Sequence, residues 1–183
     1  QSSAAADSAI VISPTKNDTN TEIVRINQDW VRLHSNCSGI QFNSDTGSGN
    51  ALNDYEKGSW TPTIFSSNAS SNWTYTSSGR YVKVGHLVSL WGQISWTGVG
   101  GSGAVNIAGL PYSTHNTAAN NAAVTIGARS GWNYHRLCGQ MHQSGYINIQ
   151  FVDASGSYGS FNVSPGAVNS SGHIYINWSY EAG

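Results

Sequence analysis

Charge is what this sequence has least of. Of its 183 residues, 9% are Asp, Glu, Lys or Arg, against about 25% in an average soluble domain, and eight basic residues nearly balance nine acidic ones. Binding a nucleic-acid backbone needs clustered Lys and Arg, whereas Lys16, Arg25, Arg32, Lys57, Arg80, Lys83, Arg129 and Arg136 stand singly, so no nucleic-acid partner is expected. Long apolar runs are missing too: none approaches the roughly 20 residues that cross a bilayer, and residues 1–7 lack the basic and apolar regions of a signal peptide. Methionine occurs once, at Met141, so Gln1 is no initiator and the chain is expected to be a processed piece of something longer. Cys37 and Cys138 are the two cysteines, and their count alone implies no disulfide. The four prolines, Pro14, Pro62, Pro111 and Pro165, mark boundaries rather than strand interiors, as their missing N–H requires.

Aromatic side chains are plentiful by contrast. Seven Trp, nine Tyr and four Phe argue against a disordered chain, which is typically poor in them. The remaining surface is Ser, Thr, Asn and Gly, soluble by hydrogen bonding rather than by net charge, and suited to exposure outside cells or to sugar contacts. Asn-x-Ser/Thr triplets at Asn17, Asn36, Asn68, Asn72, Asn162, Asn169 and Asn177 matter only if a secretory pathway makes the protein.

Composition changes near residue 58. The leader, residues 1–58, contains short alternations at Val24 and Ile26, Val31 and Leu33, and Ile40 and Phe42, the mark of half-buried strands. No helical stretch nearby can cover them, and strands with one apolar face must pair with something; the expected partner is another copy of the chain. Residues 44–51 read as a Gly/Ser/Asn linker. The body, residues 59–183, repeats strand signals at roughly ten-residue intervals, the pattern of an all-β sandwich or barrel. Strands are expected at 61–65, 73–76, 79–84, 87–96, 103–107, 123–128, 134–141, 146–151 and 173–180. In 87–96, Val88, Leu90, Gly92, Ile94 and Trp96 form the more apolar face; in the last strand Ile174, Ile176 and Trp178 point to a core. Trp91, Trp96 and Trp178 are all assigned to packing. No window carries a helical face.

The stretch Asp54-Tyr55-Glu56-Lys57-Gly58-Ser59-Trp60-Thr61-Pro62 resembles the "DYEEGTWTP" junction between shaft and C-terminal head in a group of tailed-bacteriophage tail fibres. Ser78-Gly79-Arg80-Tyr81-Val82-Lys83-Val84-Gly85 is similar to that group's "GRYTKIG" strand, and Gly109-Leu110-Pro111-Tyr112 to its "GLPF". The likeness covers about residues 40–112. It implies a homotrimeric tip: a short intertwined β shaft followed by three antiparallel β-sandwich heads, located on the virion at the end of the tail fibre and joined to other tail proteins through a missing N-terminal part. It implies recognition of a bacterial surface glycan or outer-membrane receptor, with Tyr55, Glu56 and Trp60 as hinge and packing residues.

Catalysis is not expected. The alternative is a tailspike-type hydrolase that degrades glycans, which needs two carboxyls about 5 to 9.5 Å apart. Beyond residue 60 the acids are Asp153 and Glu181; Asp54 and Glu56 lie in the junction, and a site shared between chains is the remaining route. A purely structural virion module is the other alternative. His135, Cys138 and His142 have ligand chemistry, but in a strand His135 and Cys138 point to opposite faces, so no metal and no cofactor is expected. Sugar binding suits the composition best, because indole and phenol rings offer flat apolar faces and amides and hydroxyls fix orientation. The candidate receptor contacts are Trp132, Asn133, Tyr134, His135 and Arg136, where Ser130-Gly131-Trp132 reads as a turn carrying an exposed ring, and Tyr158 on a Gly/Ser loop.

Overall fold

The computed structural model describes residues 9–16, 19–20, 22–35, 39–41, 52, 54–68, 73–115, 122–133, 136–152, 158–160 and 167–183. Over these residues the chain is all-β, without helix, and it divides into two units, Gln1–Asp54 and Tyr55–Gly183.

The first unit holds β1 (Ile10–Ile12), β2 (Thr15–Lys16), β3 (Thr19–Asn20), β4 (Val24–Ile26) and β5 (Val31–Leu33). Strands β2 and β3 pair with each other, while β1, β4 and β5 form an antiparallel sheet in that order. Val24 lies opposite Leu33 and Ile26 opposite Val31. The link between them turns because the Asn27 side-chain oxygen accepts the Asp29 and Trp30 amides at 3.2 and 3.0 Å, a local bond that asparagine makes readily. Backbone pairing, which the sequence assigns to another copy, is thus met within the chain. Burial is not: Ile10 remains 65% and Val31 62% exposed, with Ile12, Ile26 and Leu33 exposed beside them.

The second unit contains β6 (Tyr55–Trp60), β7 (Thr63–Ser66), β8 (Thr74–Val84), β9 (Leu87–Gly98), β10 (Val105–Ala108), β11 (Ala123–Trp132), β12 (Leu137–His142), β13 (Tyr146–Val152), β14 (Tyr158–Ser160) and β15 (Val168–Glu181). They form one antiparallel sheet in the order β6-β8-β9-β15-β11-β12-β13-β10-β7, with β14 added to β13. Strand β11 joins its two halves, pairing with β12 through Ala123 and Val124 and with β15 farther along. The first and last strands of this path, β6 and β7, are separated in sequence by Thr61 and Pro62 alone. Two edges that close in sequence cannot lie at opposite ends of a flat sheet, so the sheet curls back upon itself.

Alternation decides what lies inside the curl. Val88, Leu90, Ile94 and Trp96 of β9 are buried, as are Ile174, Ile176, Trp178 and Tyr180 of β15. Ile64, Val105, Ile107, Met141, Ile147 and Ile149 come from the other half. The two strands read in sequence at 73–76 and 79–84 merge into one continuous β8 from Thr74, because Ser77 and Ser78 stay in register with Ile94 and Gln93. Tyr55 to Gly58, assigned by composition to the leader, pair along β8 as part of β6.

Trp60 stands where the chain leaves one edge of the sheet for the other. It lies opposite Gly79, which in turn lies opposite Gly92, and its indole covers both glycines: a Cβ on Gly79 would sit 2.1 Å from Trp60 Nε1, and one on Gly92 2.9 Å from the ring. The indole N–H donates to the Trp91 carbonyl at 2.9 Å, and the ring meets Trp178 edge-on at 5.5 Å. A bed of two glycines therefore replaces two side chains with one large ring. Gly79→Ala is expected to lower stability by roughly 1–3 kcal/mol, the ordinary cost of overpacking; an unchanged urea midpoint in equilibrium unfolding would contradict this seat for Trp60.

Candidate functional site

The parity that sends Trp60, Gly79, Gly92, Ile176 and Ile126 inward turns their neighbours outward. Ser59 pairs with Arg80, Arg80 with Trp91, Trp91 with Asn177 and Asn177 with Thr125, so one row of outward side chains crosses β6, β8, β9, β15 and β11. Ser78, Gln93 and Tyr175 form part of the next row. Together these rows line a groove of about 680 Å³, within the range of small-molecule sites. Beside it β11 carries an extra residue between Ile126 and Arg129, a bulge of the kind that bends a strand near functional surfaces.

Trp91 is 49% and Tyr175 42% exposed. The assignment of Trp91 to packing is therefore corrected, whereas Trp96 and Trp178 are buried as expected. The reason is parity: Trp91 alternates with Leu90 and Gly92 and shares its face with Gln93. Among the described residues no Asp or Glu lines the groove, and Arg80 is its one cation.

The described loop candidates are not among the residues that line this groove. Trp132 ends β11 rather than projecting from a turn; Gly131 at φ 79° redirects the chain, and the Trp132 ring packs edge-on against Trp96 at 5.3 Å. The expected exposed ring is corrected to a half-buried one. Asn133 and Arg136 are exposed. Tyr134 and His135 lie outside the described residues, as do Asp153 and Cys37, and the backbone of Tyr158 pairs with Val152 in β14. The possible ligands Cys138 and His142 share β12: burial pushes the Cys138 thiol up, and His142 stacks on Tyr146 at 4.8 Å.

The junction motif forms a network of its own. Tyr81 donates its hydroxyl to Glu56, and Tyr112 reaches Tyr81 at 3.3 Å. Hydrogen bonds from Tyr112 and then Tyr81 hold the Glu56 carboxyl below its ordinary value, against a smaller opposing effect of desolvation. Burial pushes Tyr180 up to about 12, and its hydroxyl bonds the Tyr112 carbonyl at 2.9 Å. The three stretches quoted for the resemblance thus meet at Glu56, Tyr81 and Tyr112. This environment keeps Glu56 ionised, the opposite of what a general acid needs.

No known family profile matches the sequence, and no curated protein matches it. Among solved structures, the fold is similar to the Dettilon tailspike protein, with a TM-score of 0.59 at 16% identity, over 70% of this chain and 24% of that one. The chain thus spans about a quarter of the length of the protein it matches, and what the two share is a fold. The expectation of a chain without catalytic activity is overturned by this likeness, because the matched structure bears the name of the class held as the glycan-degrading alternative.

Glu56 supplies a test of the network. Its folded-state pKa is depressed, so its contribution to stability is present above the ordinary 4.5 and is lost as pH falls through the folded value. Glu56→Gln should melt below wild type above pH 4.5, with the gap closing at lower pH; a gap independent of pH would place the stabilisation elsewhere.

Proposed function

We propose that the chain is a host-recognition module of a bacteriophage tail protein, carried on the virion, and that it engages a glycan of the bacterial surface. The observation that carries this reading is the fold shared with a phage tailspike over 70% of the chain. Composition supports it: a surface poor in charge and rich in Ser, Thr, Asn and aromatic rings is matched to polyhydroxylated ligands, whose ring faces stack on aromatics and whose hydroxyls take amide and hydroxyl partners. Asn133, exposed just past β11, and Arg136, exposed just before β12, belong to the proposal as further contacts.

The proposal includes assembly with two further copies. It is supported by the bare apolar side chains of the leader, Ile10, Ile12, Val31 and Leu33, which a shaft shared by three chains would cover. Repetition also suits weak sites, since contacts after the first become intramolecular. The native mass of the purified chain should then be three times that of one chain.

Labelled chain should bind a restricted set of bacterial strains. Mild periodate, which cleaves vicinal diols of surface sugars, should abolish that binding, while surface proteolysis should leave it intact. Binding that survives periodate and falls with proteolysis would contradict the glycan reading. Shortening of the bound polysaccharide in the same incubation would add cleavage to recognition.

A further inference from the structure

The groove across the sheet face has a chemical character that narrows its occupant. Its outward positions combine two rings, Trp91 and Tyr175, with Arg80, Gln93, Thr125 and Asn177. The rings sit on neighbouring strands one step apart: Trp91 lies opposite Asn177, and Tyr175 opposite Gln93. Such diagonal neighbours stand about 7–8 Å apart, enough to support successive flat groups. A purely apolar partner would strip water from the guanidinium, the two amides and the hydroxyl without replacing its hydrogen bonds, at a real cost in free energy. A hydroxylated ligand replaces them.

Shape and charge add two further restrictions. The row from Ser59 on β6 to Thr125 on β11 crosses five strands, about 19 Å at the ordinary strand spacing, which is the reach of an oligosaccharide rather than of one sugar. Backbone pairing with β6 and β9 aside, the Arg80 guanidinium has no hydrogen-bond or ion-pair partner among the described residues, and no carboxylate of theirs lines the groove. A guanidinium in that position complements a ligand carboxylate, to which it can donate two parallel bonds.

We propose that this groove binds an acidic oligosaccharide laid across the strands, with sugar rings on Trp91 and Tyr175 and a sugar carboxylate on Arg80. The assignment rests on the host-recognition reading above and gives it a site and a ligand class. It also places the contact on the sheet face, whereas the Trp132 ring singled out in sequence packs against Trp96. Hydroxyls of the ligand meet Gln93, Asn177 and Thr125, and the open row of strands accepts several neighbouring sugars.

The test uses the full chain on an array of bacterial capsular and lipopolysaccharide glycans, acidic and neutral, with each acidic one also printed in carboxyl-reduced form. Wild type should bind acidic members and prefer them to their reduced forms. Trp91→Ala and Tyr175→Ala, at exposed positions, should each weaken binding about tenfold or more with unchanged melting temperature, and Arg80→Gln should erase the preference for the carboxylate form. If all three variants bind as wild type does, the groove assignment falls while host recognition through another surface stands. If wild type binds acidic and reduced glycans alike, the acidic ligand class falls. If it binds no glycan and no cell, both readings fall. Sedimentation is the second arm: the variants should keep the wild-type mass, and dissociation on Trp91→Ala would make this face a contact between copies and overturn the proposal.

Discussion

The seating of one indole on two glycines governs the rest of the second unit. Trp60 is 5% exposed, and a buried tryptophan removes about 150–250 Å² from water, an upper-bound gain of about 4–6 kcal/mol at 25 cal/mol per Å². Its place in the chain matters as much as its area. It is the last residue of β6, and Thr61 and Pro62 then lead directly to β7 at the other end of the sheet. Holding Trp60 against Gly79, Gly92 and Trp178 therefore anchors the β6 edge at the point where the chain leaves it for β7. Gly109, at φ 85°, leaves room for the Thr61 carbonyl where the chain crosses over; in that left-handed region glycine carries no steric penalty.

The same contact sets the outer face. Side chains alternate along a strand, so a slip of one residue would send every inward group outward. With Trp60, Gly79 and Gly92 fixed inward, Ser59, Arg80 and Trp91 are fixed outward in a single row. Core and groove are two sides of one register, and the glycines that admit the indole also specify where the exposed rings and the lone guanidinium lie. In the proposed reading a phage tail module gains from this arrangement, because a binding surface built on a sheet is preorganised and loses little freedom on engagement.

Alternation made much of this legible in the sequence. It separated the buried from the exposed residues of β9 and β15, and it even placed Trp91 on the face of Gln93; assigning that ring to packing ignored its own parity. The groove itself was not legible, since it needs β6, β8, β9, β15 and β11 side by side, an order set by long-range closure. Ser77-Ser78 before Gly79 hid the continuity of β8, because Gly79 serves the indole above it rather than a bend. Ser130-Gly131-Trp132 failed in the other direction: Gly131 does redirect the chain, but toward Trp96. The leader alternation was real at Val24, Ile26, Val31 and Leu33, with Phe42 outside the described residues, and Asn27 supplied a turn that closed that pairing within one chain.

The most direct measurement is a two-dimensional NMR titration that follows the indole N–H signals of the seven tryptophans as a bound acidic oligosaccharide is added. The account predicts movement of the Trp91 signal, at the groove, while Trp96 and Trp178 in the core stay in place. Movement confined to residues away from the sheet face, with Trp91 unmoved at saturation, would contradict it.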